Sequence, residues 1–165
     1  MIVFTRIDDR LIHGQVVEGW VNFLKATSIL VADDRVASNT LQRSIMEISV
    51  PSGLGVFIGT VEEICGRLRG SELGADRAIL LFSTPADVLR ALRLGLHCPA
   101  LNIGGMHYMP GKRKLIDVLA VDDGDMEALK EIIAQGIKVE VQTVPTQKPL
   151  PLDKVFQVCQ ARGKP

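Results

Sequence analysis

Seven short runs rich in apolar and β-branched residues, four to six residues each, recur along this chain between stretches of helical spacing. They are Ile2–Ile7, Ser28–Ala32, Gly55–Ile58, Arg77–Phe82, Ala100–Ile103, Ile116–Val121 and Lys138–Gln142. Near-continuous apolar runs of this length suit strands buried on both faces, as in a parallel sheet. Val16, Val17, Trp20, Val21 and Leu24 make one apolar helical stripe, and Leu41, Ile45, Met46 and Ile48 another. Thr60 before Glu62 and Glu63, and Thr84 before Pro85, read as helix starts. Asp122 or Asp123 opens a helix that Gly136 closes. The alternation predicts an α/β fold: one domain over 1–165, an open, doubly wound, mostly parallel sheet of about seven strands, with helices on both faces. Gly104–Lys114 and the proline-containing stretch Val144–Pro151 break the rhythm and read as loops, the second leading into a last helix that carries Leu152, Val155, Phe156 and Cys159 on one face.

Composition narrows the function. Nineteen Lys and Arg balance nineteen Asp and Glu, which argues against nucleic-acid binding through a cationic surface. The longest apolar run, Ala78–Phe82, is far short of the roughly 20 residues a bilayer needs, and no cationic stretch precedes the N-terminal apolar segment as in a signal peptide. Cys65, Cys98 and Cys159 are odd in number and far apart, so neither a disulfide framework nor a zinc site is expected. These features together suggest a reduced, cytoplasmic setting.

Ligands of an open α/β sheet bind at the carboxyl ends of strands. The first such end here is Arg6-Ile7-Asp8-Asp9-Arg10-Leu11-Ile12-His13-Gly14-Gln15-Val16. A histidine at a helix entry sits beside unpaired N–H groups and the positive end of the helix dipole, a place that attracts anions. A neutral imidazole there is a nucleophile near pH 7. Arg6 and Arg10 can neutralise phosphate oxygens, Gly14 leaves room for close approach, and Asp9 can orient an arginine or fix an imidazole tautomer. Phosphoryl transfer asks for little beyond such positioning and charge. A solvated loop of capping and salt-bridging residues would read the same way.

Other phosphate chemistries fit less well. The third run ends at Ile58-Gly59-Thr60 without the aspartate a receiver domain needs, and Asp33 and Asp34 read as caps. Neither G-x-x-x-x-G-K-[ST] nor G-x-G-x-x-G after the first strand is present. His97 reads as an exposed loop residue, and His107 as a loop residue at the rim of the site. Trp20 reads as core packing, and Met106, Tyr108 and Met109 as an apolar docking patch.

The string RIDDRLIHGQV resembles the active-site segment of the enzyme IIB component of the bacterial phosphotransferase system, mannose/fructose/sorbose class. Leu80–Val88, Leu101–Met106 with Gly111-Lys112, and Ala120–Asp122 extend the resemblance over essentially the whole chain. It departs from the family pattern at Thr84, where asparagine is the expected residue. The resemblance implies a protein-phosphohistidine–sugar phosphotransferase. His13 would accept a phosphoryl group through Nδ1 from a phosphorylated IIA protein and pass it to a sugar carried by membrane IIC and IID subunits. Arg6 and Arg10 would bind the phosphoryl group. Backbone N–H groups of Gly14, Gln15 and Val16, and the hydroxyls of Ser83 and Thr84, would support it. It implies no metal or cofactor beyond the covalent phosphoryl group, and a place at the inner face of the membrane through IIC and IID. A regulatory phosphohistidine module of the same fold, and a binder of a phosphorylated metabolite, are the alternatives.

Overall fold

The computed structural model describes residues 1–70 and 74–162. Strand β1 (Ile2–Asp8) leads through a charged loop into the π-helical segment Gln15–Trp20, which continues as α1 (Val21–Leu24). There follow β2 (Ser28–Ala32), α2 (Asp34–Ser38), α3 (Thr40–Ile48), β3 (Gly55–Gly59), α4 (Val61–Arg69), β4 (Ala78–Phe82), α5 (Pro85–Arg93) and β5 (Ala100–Gly105). The chain closes with β6 (Arg113–Ile116), β7 (Leu119–Val121), α6 (Asp123–Ala134), β8 (Lys138–Val141), β9 (Leu150–Pro151) and α7 (Leu152–Arg162).

The main sheet has seven strands in the order β3-β2-β4-β1-β5-β8-β9, parallel throughout except for β9. Alternate residues of each strand feed opposite faces. Ile29, Val31, Ile79 and Leu81 meet Val16, Val17, Trp20 and Val21 on one face. Leu30, Leu80 and Phe82 meet Val88, Leu89, Leu129 and Ile132 on the other. The expected caps are in place: Thr60 and Asp122 close capping boxes with Glu63 and Asp125, and Thr84 accepts from Asp87 N–H. Gly136, at φ 82°, takes the left-handed turn just after α6 that a side chain resists.

Three expectations are corrected. The seven strands are not the seven runs. The expected strand Ile116–Val121 is broken by a turn at Asp117-Val118: Ile116 ends β6, Leu119–Val121 is β7, and the two strands form a separate antiparallel pair. The seventh strand of the main sheet is β9, two residues that end on a proline at the sheet edge, within the stretch that reads as a loop. The stripe Leu41, Ile45 and Ile48 faces solvent, at 70%, 60% and 83% exposure, and Met46 alone of α3 is buried. Periodicity shows that apolar residues share a helix face; it does not show that the sheet lies under that face.

This topology positions the site. The connection after β1 runs towards β2, and the one after β5 runs towards β8, so the chain diverges above the carboxyl ends of two adjacent strands. A crevice opens there.

Candidate active site

Arg6 and Asp8 lie two apart on β1 and therefore share a face. Both are fully buried. The Arg6 guanidinium donates through Nε and one terminal nitrogen to Asp8 Oδ2, at 3.3 and 2.8 Å. Its remaining donors go to Asn102 Oδ1 and to the carbonyls of Gln142 and Thr143. All five donors of the fork are spent. Burial lowers the guanidinium's pKa from its ordinary value, and the neighbouring Asp8 charge opposes that fall. Space for the group exists because residue 104 has no side chain: a Cβ on Gly104 would stand 1.7 Å from the guanidinium. The expected contact between Arg6 and phosphate is therefore corrected. In this arrangement Arg6 cannot reach a ligand, and it holds Asp8 instead.

Asp8 is the hub of the crevice, and the sequence reading passed over it in favour of Asp9. Its Oδ1 accepts from the Arg10 backbone N–H at 3.2 Å and lies 3.6 Å from Arg10 Nε. Its Oδ2 lies 3.6 Å from His13 Nε2. Strand alternation was the available signal, since it pairs residue 6 with residue 8 rather than with residue 9. The role expected of Asp9 near His13 belongs to Asp8. Asp9 turns the other way, and its carboxylate accepts from His107.

The loop between Asp8 and His13 is strained. Leu11 is buried and takes φ 54°, a left-handed conformation that costs a branched residue about 1 kcal/mol or more. Its N–H bonds to the Asp8 carbonyl at 2.9 Å, and its carbonyl meets His13 Nδ1 at 3.0 Å. A carbonyl only accepts, so Nδ1 is the protonated donor of this contact. The expected acceptor atom, Nδ1, is thus engaged in this arrangement. Nε2 lies 3.4 Å from Gln15 Oε1, which also accepts from Arg10 at 2.9 Å. The His13 side chain is 16% exposed and that of Arg10 44%, so Arg10 is a cation of this cluster that solvent and a ligand can reach.

Beyond His13 the π-helical turn begins without a side-chain cap at Gly14. The Val16 and Val17 N–H groups both donate to the His13 carbonyl, at 2.9 and 3.0 Å, so Val16 is not free to bind an anion as expected. The Gly14 and Gln15 N–H groups have no partner among the described residues. A Cβ at Gly14 would meet nothing within 4 Å, in keeping with an open approach to His13.

Ser83 and Thr84 are not brought to His13. Ser83 is buried and donates to Asp33 Oδ2, while Thr84 donates to Asp87 Oδ2 at 2.7 Å and accepts from its N–H. Their hydroxyls serve the neighbouring β2/β4 edge. Asn102 holds Arg6, and His97 is exposed in its loop as expected. Of the expected docking patch, Tyr108 and Met109 are exposed, and Met106 is buried.

The model of the PTS system sorbose subfamily IIB component matches residues 2–164, the charged loop and His13 included. The chain belongs to this family. The N-acetylgalactosamine-specific phosphotransferase enzyme IIB component 2 of Escherichia coli (strain K12) is 37% identical over 157 residues, 94% of this chain and 98% of the relative. The sorbose-specific EIIB component of Klebsiella pneumoniae is 33% identical, over 87% of each chain. The IIBSor domain of the sorbose permease from the same organism superposes with a TM-score of 0.91 at 30% identity, over 96% of this chain and 97% of the domain. The mannose-specific EIIAB component of E. coli is 34% identical over 91% of this chain, which spans 46% of that relative's length. As a sorbose-subfamily IIB component, the protein is a phosphotransferase component of a sugar-uptake system. No helix among the described residues is long and apolar enough to cross a membrane.

Proposed function

We propose that this IIB component accepts a phosphoryl group on His13 from a phosphorylated IIA protein and passes it to a sugar during uptake through IIC and IID. The observation that carries the reading is that the partly exposed His13 imidazole and the solvent-accessible Arg10 both lie 3.6 Å from the same buried carboxylate, that of Asp8. In the first step a ring nitrogen of His13 attacks phosphorus in line with the donor's P–N bond. One P–N bond forms as the other breaks, and the electron pair returns to the donor imidazole. With the donor phosphohistidine protonated on its other ring nitrogen and His13 attacking through its unprotonated one, each ring keeps one proton through the transfer. Arg10 and the N–H groups of Gly14 and Gln15, which have no partner among the described residues, would take the equatorial oxygens. Acceptance through Nδ1 requires the ring to turn out of its bond with the Leu11 carbonyl and its proton to pass to Nε2, because a protonated ring nitrogen has no lone pair with which to attack. In the second step the phosphoryl group moves to a sugar hydroxyl. The names of the relatives cover N-acetylgalactosamine, mannose, sorbose and fructose, so membership of the family does not by itself name the sugar. The A part joined to the B part in the mannose-specific EIIAB supports IIA as donor. Peripheral association with the cytoplasmic face of the membrane follows from the same partners.

The test is a relay rebuilt from phosphoenolpyruvate, the general phosphotransferase proteins and a IIA donor, read by intact mass at alkaline pH. The wild type should gain one acid-labile phosphate, and His13→Gln should gain none while keeping its fold. Labelling that persists in His13→Gln, or a wild type that stays unlabelled with an active donor, overturns the reading. Nitrogen-15 NMR of the labelled protein then assigns the phosphate to Nδ1 or Nε2.

A further inference from the structure

Two consecutive aspartates at the end of β1 face two different histidines: Asp8 lies against His13, and Asp9 against His107. Asp9 Oδ2 accepts from the His107 backbone N–H and Oδ1 meets His107 Nδ1, both at 2.6 Å. The Asp9 N–H in turn donates to the Gly105 carbonyl at 3.0 Å. Residue 9 is thus tied at three points to the segment that leaves β5. A carboxylate only accepts, so these bonds place the proton of a neutral His107 on Nδ1. Gly105 lets the ring lie there: a Cβ on it would stand 3.0 Å from His107 Cε1 and 3.6 Å from Asp8 Oδ1.

The clasp has something to hold. Left-handed Leu11 persists only where its surroundings over-determine it. Arg6 fixes the loop at Asp8, and the packing of Ile12 and Val16 fixes it beyond Leu11. Between these anchors, residue 9 is fixed by His107. Without the His107 side chain one of the three ties is lost, and Asp9 Oδ1 and Arg10 gain room to shift and Leu11 to relax, although the bonds of Asp9 to the Gly105 carbonyl and the residue 107 N–H remain. The carbonyl on His13 Nδ1 and the Arg10 side chain on Gln15 then move with them.

We propose that His107 is a positioning residue for phosphoryl transfer at His13: by holding both oxygens of Asp9, it sets the loop that aims His13 and Arg10. The inference rests on His13 being the acceptor. It assigns to the β5 loop a part in the reaction although His107 itself touches no reacting atom.

The experiment is the transfer rate from phosphorylated IIA, as a function of IIA concentration, for the wild type, His107→Ala and His107→Asn. Asparagine offers an N–H donor at about the distance of Nδ1 from the backbone, and alanine offers none. His107→Ala should lower the saturated rate about tenfold with the donor KM within about twofold, and His107→Asn should recover most of the loss. Both variants should keep the wild-type circular dichroism, which separates misplacement from unfolding. In the wild type, long-range nitrogen-15 NMR should show the proton of neutral His107 on Nδ1. A wild-type rate in His107→Ala, an equal loss in both variants, a raised KM with an unchanged saturated rate, or a proton on Nε2 would each overturn the proposal. If the wild type takes no phosphate on His13, the reading of that residue fails, and the positioning role falls with it; a failure confined to the variants leaves that reading standing.

Discussion

At two places along the carboxyl edge of the sheet, β1/β5 and β2/β4, adjacent strands send the chain in opposite directions, and each crevice so defined begins with a pair of aspartates. Asp8-Asp9 follows β1, and Asp33-Asp34 follows β2. In each pair the first acid is buried and the second reaches a neighbouring loop or helix. The difference lies in what comes next. Helix α2 begins directly after Asp33, so that carboxylate is spent on the N–H groups of Arg35 and Val36 and on the Ser83 hydroxyl. After Asp8-Asp9 the helix is deferred until Gln15. The intervening loop has left-handed Leu11 and an imidazole at its end, and Asp8 is paired with an arginine buried beneath it. An acid pair followed at once by a helix is a cap. The same pair followed by a constrained loop can gather cations and a nucleophile at one point. The family match belongs to the chain as a whole; the contrast explains why the chemistry is assigned to the first crevice.

The largest expected effect strikes the support beneath Asp8. In Gly104→Ala the new methyl carbon would overlap the Arg6 guanidinium, so either the strand or the arginine must move. Displacing Arg6 leaves Asp8 buried without its partner, which costs about 3–5 kcal/mol. Chemical denaturation should show a loss of that order. Gly14→Ala, where a Cβ meets nothing, should stay within about 0.5 kcal/mol of wild type. Equal small losses in the two variants would mean that Arg6 has another place to go.

A smaller effect separates the two exposed arginines. Arg10 lies against Asp8 and Gln15, whereas Arg35 lies against Asp33 and Ser83 with its side chain 79% exposed. Arg10→Ala should slow phosphoryl transfer to His13 by about 10²-fold, the scale of one lost charge-stabilising donor, with little change in unfolding midpoint. Arg35→Ala should leave the transfer rate unchanged. If both slow it alike, the two crevices act as one site, and their separation is wrong.

This comparison also marks what was legible in the residues. Six strands of the main sheet, β1 to β5 and β8, were, because short apolar and β-branched runs between helical stretches leave little else for those segments to be. The apolar stripe of the active-site helix was legible too, since Val16, Val17, Trp20 and Val21 all pack inward. The outward face of α3 was not, because a stripe carries no information about which neighbour covers it. Strand β9 is two residues ending in proline, too short for any periodicity. At the site, His13 and Arg10 stand out as polar groups at a strand end. Arg6 misled because an arginine near a histidine suggests a ligand. Its burial depends on a glycine 98 positions away, together with the carbonyls of Gln142 and Thr143. The His107 contact with Asp9 likewise spans 98 positions, and no local pattern announces it.

The smallest expected effect tests the second crevice alone. Asp34 accepts from Arg90 at 2.5 Å and from the Val61 N–H at 3.0 Å, and the hydrogen bond from Arg90 is the main cause that lowers its carboxyl pKa below the ordinary value. A carboxyl with a depressed folded pKa contributes stability above its unfolded pKa, near 4, and loses that contribution as pH falls through the folded value. Its side chain is 44% exposed and Arg90's 37%, so solvent and salt screen the pair, and its contribution is about 0.2–1 kcal/mol. Asp34→Asn should therefore be slightly less stable than wild type at pH 7, with the gap narrowing in acid and in high salt. Its phosphoryl-transfer rate should match the wild type throughout. A gap that does not change with pH would mean that the Val61 N–H bond, rather than the charge, is what Asp34 supplies. A slowed transfer would show that the capping crevice reaches the reacting one, and would break the division on which the contrast depends.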